Sequence, residues 1–230
     1  MILAANARLV IHIVLALAHL LPLIYLWFYR RRGGRLNCAA LVGYSVLSAL
    51  WGLSIALATW GAGRTAVPAL RVAGYVATDL PLLLVALLVP LTYQNLDRPG
   101  HWTWVATGAA WFAVVLGLHV LLEPDITGPV RALASVGWLI FAGLVIFLAA
   151  RWTVTARLGF YRNRGIYWLG LLILVLGGQG LMRVSGRWAE AGLALHLLGT
   201  AGAIVCITTY NLPNVKGVLR AASGYIVLTV

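Results

Sequence analysis

Charged residues are scarce in this chain, and acidic residues are the scarcest. Only 10% of its 230 residues are charged and just five are Asp or Glu, whereas 62% are hydrophobic. Because soluble domains contain about 25% charged residues, this composition excludes an ordinary soluble protein and predicts a membrane protein. The net charge of +12 comes from basic residues that lie between apolar runs. That distribution is typical of membrane topology signals and argues against nucleic acid as a partner.

Lysine and the familiar catalytic motifs are also missing from the apolar runs. The single lysine, Lys216, lies beyond the last run, which excludes a retinal pigment bound through the final helix. The sequence has no His-Glu-x-x-His, Gly-x-Ser-x-Gly or phosphate-binding motif. The runs contain one aspartate, Asp79, so a paired-aspartate protease is excluded too. We therefore predict no catalytic residues and no metal site, and the chain is not expected to be an enzyme.

Seven apolar runs are long enough to cross a membrane as helices. Short links rich in Gly, Pro and Arg separate them, such as RRRGGR and EPDITGP. The runs cover residues 8–29, 37–60, 68–93, 102–122, 130–150, 165–184 and 188–210. The sequence thus predicts an all-α fold, a bundle of seven transmembrane helices over residues 1–212. Residues 213–230 are expected to be a cytoplasmic exit segment or the start of a further helix. They end within the apolar stretch SGYIVLTV, so we expect the chain either to continue in a longer protein or to pack its end against another protein.

The basic residues also predict an orientation. Eleven Lys or Arg residues lie on one side of the runs and six on the other. The side with more basic residues is expected in the cytoplasm, which places the amino terminus outside and the carboxyl terminus inside. The predicted location is the bacterial cytoplasmic membrane, with the lipid bilayer as the first partner.

Polar side chains within the runs concentrate in the predicted outer half. At 1.5 Å per residue, Asp79 lies about 16 Å below the outer end of its run, with His19 at a similar depth. An intramembrane carboxyl is costly and marks a functional site. We therefore predict a water-accessible pocket there. Its expected ligand-binding residues are His12, His19, Tyr75, Asp79, His119, Gln179 and His196.

Each polar residue also has a structural interpretation. Asp79 fits a buried structural carboxyl, the histidines fit hydrogen bonds between helices, and GGQG at 177–180 fits a close-packing patch. Asp79 is expected to be at least partly protonated at neutral pH, or hydrogen-bonded in the cavity. Its nearest titratable partner is predicted to be His19 or His196, because no Lys or Arg lies at its depth.

Two prolines lie just after these polar residues. Pro22 and Pro81 have no N–H to donate to the carbonyls of Ala18 and Ala77. We therefore expect a bend in the first and third spans, each with an unpaired carbonyl beside a titratable side chain.

Four segments resemble the seven-helix sensor region that precedes bacterial histidine kinases. LSALWGLSIALATWG (47–61) resembles the second helix of that family, and ALRVAGYVATDLPLLLVALLVPLTYQN resembles the third. GLHVLLEPD (117–125) resembles the outer end of the fourth, and TYNLPNVKGVLRAASGYIVL resembles the stretch that leads to the kinase. The resemblance implies sensing and signal transduction. No kinase core follows within these 230 residues.

The leading hypothesis is therefore a receptor module for a small or lipid-like ligand. Its binding would be relayed through the last helix to the cytoplasmic side, where the partner is a kinase domain or a second copy of the chain. The residues expected to carry the signal out are Asn211, Pro213, Lys216 and Arg220.

Two other readings stay open from the sequence. The chain fits a non-catalytic accessory subunit of an electron-transfer or photosynthetic complex that binds quinone, pigment or haem. His12 and His119, at matching depths, would be a crude pair of haem ligands. It also fits a proton-coupled transporter that uses Asp79. The leading hypothesis requires no cofactor.

Overall fold

In a computed structural model of the chain, residues 2–29, 35–60, 68–92, 100–122, 127–184 and 188–208 are described. Within these ranges the chain is α-helical apart from short turns. The helices are α1 Ile2–Ala18, α2 Leu21–Tyr29, α3 Arg35–Trp60, α4 Pro68–Thr92, α5 Gly100–Leu121, α6 Thr127–Thr155, α7 Gly159–Val184 and α8 Ala189–Thr208. The predicted exit segment lies outside the described residues, together with Asn211, Pro213, Lys216 and Arg220.

Six of these helices, α3 to α8, are long and apolar enough to cross a membrane, and a shorter apolar segment, Leu9–Ile24, precedes them. Large apolar side chains such as Val14, Leu139 and Ile173 are exposed on the outside, while His, Ser, Thr and Gln side chains are buried within the bundle. A helical protein surrounded by lipid has this distribution. The predicted all-α fold is confirmed, whereas seven crossings and their orientation stay predictions.

The first predicted span, residues 8–29, is not one continuous helix. The chain breaks between α1 and α2 at His19 and Leu20. Pro22 has no N–H to give to the preceding turn, and the backbone tightens, with Leu20 N donating to Leu17 O at 2.9 Å. The bend expected near Pro22 is therefore a break, and it places His19 at a junction between helices.

α4 is the central helix of the bundle. Seven helices form a closed ring in which each packs against the next, in the order α1, α3, α4, α5, α6, α7, α8 and back to α1. In addition, α4 contacts α6 and α7. Nearly all of its side chains from Asp79 to Thr92 are buried. α4 stays helical through both Pro81 and Pro90, so the bend expected at Pro81 does not interrupt it. The side chains of α4 therefore determine what lies in the middle of the bundle.

α6 and α7 extend beyond the predicted runs 130–150 and 165–184, which leaves residues 156–158 between them. Arg164, assigned to a link by the sequence, is consequently buried in α7. Its guanidinium donates to the carbonyl of Cys206 in the last turn of α8. Carbonyls in the last turn of a helix have no partner within that helix, so this position accepts a buried arginine.

The closest backbone approach between α7 and α8 is made by two glycines. A Cβ on Gly178 would lie 2.5 Å from the carbonyl oxygen of Gly192, closer than real atoms approach. A Cβ on the neighbouring Gly177 would meet nothing within 4 Å. The GGQG segment therefore supplies one glycine to the interface between α7 and α8, as close packing of membrane helices requires.

Candidate functional site

A cavity of about 530 Å³ opens at one end of the bundle. We call this end, where α3, α5 and α7 end and α4, α6 and α8 begin, the outer end, after the predicted orientation. The cavity combines two arginines and several hydroxyls with an apolar surface. Its lining residues are Trp51, Ile55, Ala58, Thr59, Gly74, Ala77, Thr78, Pro81, Arg131, Ser135, Met182, Arg183 and Ala189. An apolar wall with a few convergent polar groups is typical of small-molecule sites, which measure about 300–1,000 Å³.

Arg183 of α7 forms much of the polar wall. Its Nη1 donates to Ser135 Oγ of α6 at 3.1 Å, and its Nη2 donates to the Thr78 carbonyl of α4 at 3.3 Å. The guanidinium lies 5.1 Å from the ring centre of Trp138, whose Nε1 donates to Gln179 Oε1 at 2.7 Å. Arg183 Nε has no hydrogen-bond partner among the described residues. This one side chain joins three helices at the outer end.

Asp79 faces α5. Its Oδ2 lies 2.7 Å from His119 Nδ1, and both side chains are almost fully buried. The His119 ring stacks on Tyr75, one turn before Asp79 in α4, with ring centres 4.8 Å apart. Asp79 Oδ1 and His119 Nε2 have no hydrogen-bond partner in the described part of the chain. We call Tyr75, Asp79 and His119 the carboxyl cluster.

The prediction that His19 or His196 is the nearest titratable partner of Asp79 is wrong. Both histidines lie on the far side of α3, whereas α5, which carries His119, packs directly against α4. The expectation that no arginine reaches the depth of Asp79 is wrong as well. Arg183 extends from the end of α7 to the carbonyl of Thr78, the residue before Asp79, because its long side chain can reach beyond its own backbone position.

The other two buried histidines meet between α1, α3 and α8. The rings of His19 and His196 have centres 5.2 Å apart. Tyr44 Oη and His196 Nε2 form a hydrogen bond of 2.9 Å, and His19 Nδ1 donates to the Leu15 carbonyl at 2.8 Å. His19 Nε2 and His196 Nδ1 have no hydrogen-bond partner within the described ranges. We call His19, Tyr44 and His196 the histidine cluster.

Trp51 of α3 connects the cavity to the histidine cluster. It lines the cavity, and its ring lies 5.0 Å from the ring of His196 on α8. Its Nε1 donates to the Ala77 carbonyl of α4 at 2.8 Å. Pro81 leaves that carbonyl without a helical donor, so the unpaired carbonyl expected from the sequence is satisfied by a neighbouring helix.

None of the seven residues predicted to bind ligand is in the described lining of the cavity. Tyr75, Asp79 and His119 form one cluster, His19 and His196 belong to another, and Gln179 accepts from Trp138. His12 is buried on α1, two turns before His19. Of the residues singled out in the sequence, the cavity includes the proline Pro81.

Sequence reasoning missed the residues that do line the cavity, above all Trp51, Arg131 and Arg183. In the sequence, these arginines have the distribution of topology signals. A signal was present, because six basic residues on the predicted outer side are more than the positive-inside rule favours.

The two histidines considered as haem ligands are not neighbours. His12 lies on α1, which packs against α3 and α8, whereas His119 lies on α5, which packs against α4 and α6. Helices α3 and α4 therefore stand between them in the ring. Within the described residues, no group of three or more His, Cys, Asp or Glu side chains could hold a metal ion.

Comparisons with protein-family models, with curated proteins and with solved structures find no match to this chain. The functional inference therefore depends on the cavity and on the two clusters beside it.

Proposed function

We propose that the chain is the sensor module of a membrane receptor in the bacterial cytoplasmic membrane. A small or lipid-like ligand binds in the outer cavity, and its binding is relayed to α8. The position of Trp51 carries this proposal, because one indole lines the cavity, bonds to the Ala77 carbonyl and contacts His196. α8 continues directly into residues 209–230, the segment expected to carry the signal out.

The relay needs an element with two arrangements of similar energy, since a ligand acts only by binding them unequally. The bond from Trp51 to the Ala77 carbonyl provides one. Breaking this hydrogen bond leaves the Ala77 carbonyl unpaired and costs about 1–3 kcal/mol, whereas a ligand bound at micromolar affinity gains about 8 kcal/mol. Occupation of the cavity can therefore displace the indole, and the ring of His196 moves with it.

The two buried clusters support the relay from either side. The hydrogen bond between Asp79 and His119 holds α4 against α5, so displacement of Trp51 is not absorbed by movement of α4. The bond between Tyr44 and His196 joins α3 to α8 about two turns before Trp51 in α3. In this proposal, residues predicted as ligand contacts have other roles: Asp79 and His119 hold α4 in place, and His196 moves with α8.

The resemblance to the sensor region of histidine kinases suggests which protein domain receives the signal. In this proposal a kinase domain, or a second copy of the chain, receives the movement of α8 after residue 208. The chain itself performs no catalysis, and ligand binding requires no cofactor.

The relay can be tested before the ligand is identified by filling the cavity with a side chain. Ala58 lines the cavity, and Ala58→Trp places an indole within it. The readout is the rate at which N-ethylmaleimide alkylates Cys206, which is buried near the end of α8, in a Cys38→Ser background. We expect Ala58→Trp to change this rate several-fold, because the filled cavity displaces Trp51 and α8 follows.

Leu57→Trp is the matched control, since Leu57 is the preceding residue of α3 and is 47% exposed on the outside of the bundle. It should leave the rate of Cys206 alkylation unchanged. Adding Trp51→Phe to Ala58→Trp should remove most of the change, because the connecting side chain is lost. Equal alkylation rates for Ala58→Trp and Leu57→Trp would show that the cavity is not coupled to α8.

A further inference from the structure

Two arginines from different helices share the outer cavity. Arg131 lies at the start of the second turn of α6, and Arg183 lies in the last turn of α7. Ser135, which accepts a hydrogen bond from Arg183, lies four residues after Arg131 and thus on the same face of α6. The two guanidinium groups therefore belong to one wall of the cavity and not to opposite rims.

This wall has no acidic counterpart within the cavity. Among the described lining residues there is no Asp or Glu. The nearest buried carboxyl, Asp79, is hydrogen-bonded to His119 on the side of α4 that faces α5. Arg183 donates only to neutral oxygens, those of Ser135 and Thr78, and its Nε lacks a hydrogen-bond partner in the described ranges. Asp79 attracts both arginines from outside the cavity. No carboxylate in the described lining pairs with them, so their positive charge is compensated only in part.

The amino terminus of α8 adds little to this charge. Its first residue, Ala189, lines the cavity, but Glu190 in the same turn already places a carboxylate near the partial positive charge of the helix end. The positive charge of the wall is therefore that of the two arginines. The lining also includes apolar side chains, among them Ile55, Pro81 and Met182.

We infer that the ligand of this cavity carries an anionic group, a carboxylate, sulfonate or phosphate, bound by Arg131 and Arg183. This inference rests on the proposed function and names the chemical class of the ligand. Guanidinium groups match the planar or trigonal oxygens of such anions with paired hydrogen bonds. The apolar lining residues then accept the remainder of the ligand, which is either the chain of an acidic amphiphile or the body of a small soluble anion.

The test uses the full chain in nanodiscs and two photoreactive probes of equal chain length. One is a diazirine-bearing fatty acid and the other is the corresponding fatty alcohol. Peptide mapping of the photo-adducts should place the acid on cavity residues such as Ile55 and Met182, with the alcohol absent from them. Competition by excess succinate or inorganic phosphate distinguishes a small soluble anion from an amphiphile as the natural source of the anionic group.

Charge-neutralising variants identify the groups responsible. Arg131 has no hydrogen bond to another described side chain, so Arg131→Gln should fold normally and weaken labelling by the acid about tenfold or more, the effect of losing a bond to a charged group. Arg183→Gln should do the same, although it also removes two bonds within the bundle. The control Arg157→Gln makes the same change of charge in the exposed link between α6 and α7, and should label as the wild type.

The outcomes separate this inference from the proposed function. Equal cavity labelling by acid and alcohol, or unchanged labelling of Arg131→Gln, would overturn the anionic class. Absence of cavity labelling by either probe, together with no thermal stabilisation of the wild type by succinate or phosphate relative to Arg131→Gln, would overturn it too. The effect of Ala58→Trp on Cys206 alkylation does not depend on ligand charge. A positive result there, with no anion binding, rejects the ligand class and leaves the sensor proposal standing.

Discussion

The indole Nε1 of Trp51 donates to the carbonyl oxygen of Ala77 at 2.8 Å, the oxygen that Pro81 deprives of its helical donor. A proline in a membrane helix is tolerated only when the freed carbonyl finds another partner, because the bilayer core contains no water. Here the partner is a side chain of α3 that also lines the outer cavity. Stability of α4 and the geometry of the cavity are therefore linked through one hydrogen bond.

A double-mutant cycle measures this link. Trp51→Phe keeps an aromatic ring but leaves the Ala77 carbonyl unpaired, so we expect a loss of about 1–3 kcal/mol in the free energy of unfolding. Pro81→Ala restores an N–H that can donate to the same carbonyl. In that background Trp51→Phe should cost at least about 0.5 kcal/mol less, the coupling expected of residues in contact. Unfolding in mixed SDS micelles gives the four energies, and additive effects would exclude the compensation.

The carboxyl cluster gives a second prediction. Asp79→Asn keeps an oxygen that can accept from His119 Nδ1, so it should change the free energy of unfolding little. Asp79→Leu leaves that buried nitrogen unpaired and should cost about 1–3 kcal/mol. The double variant Asp79→Leu with His119→Leu removes both polar partners and should recover part of the loss. If Asp79→Leu were as stable as the wild type, the hydrogen bond would have no structural role.

Protonation of Asp79 is a separate question, and infrared difference spectroscopy answers it. The carbonyl stretch of a protonated carboxyl that disappears in Asp79→Asn would establish that the group is neutral at neutral pH. The same spectra should change in His119→Leu and stay unchanged in His196→Leu, because the hydrogen bond is made with His119 and not with the histidine cluster.

Some features of this structure follow from the local sequence, and others depend on how the helices pack against one another. Composition and run length are sufficient for an all-α membrane protein, and the missing N–H of proline is sufficient for the break before Pro22 and for the free carbonyl of Ala77. The partners of Asp79 are different. They depend on which helices are neighbours and how each is rotated, and apolar helices without a strong polar face leave both undetermined.

Depth along a helix was also a weak guide to contact. Asp79 and His19 have similar predicted depths, yet they lie in different clusters because α3 separates their helices. The backbone of Arg183 lies one residue before the end of α7, but its side chain reaches the Thr78 carbonyl of α4. Backbone depth therefore does not show how far a long side chain such as that of Arg183 extends. Equal depth also does not show that two short side chains, such as those of Asp79 and His19, are in contact.

Packing of α7 against α8 leads to a third prediction, with its control one residue away. Gly178→Ala would place a methyl group 2.5 Å from the Gly192 carbonyl oxygen, so the helices must separate. We expect a loss of about 1–3 kcal/mol in the free energy of unfolding, the usual effect of overpacking. Gly177→Ala meets nothing within 4 Å and should be neutral or slightly stabilising, since alanine favours helix. Equal stability of the two variants would contradict this interface.

The final prediction concerns the number of membrane crossings, because the first apolar segment is shorter than the other six. In a chain whose two cysteines are replaced by serine, single cysteines are placed at Asn6, near the start of α1, and at Arg157, in the link between α6 and α7. If the first segment crosses, five crossings separate these positions, namely α1–α2 together, α3, α4, α5 and α6. An odd number of crossings places the two positions on opposite sides. We therefore expect a membrane-impermeant maleimide added to intact cells to label position 6 and spare position 157. Labelling of both positions from one side would mean that α1 and α2 do not cross the membrane.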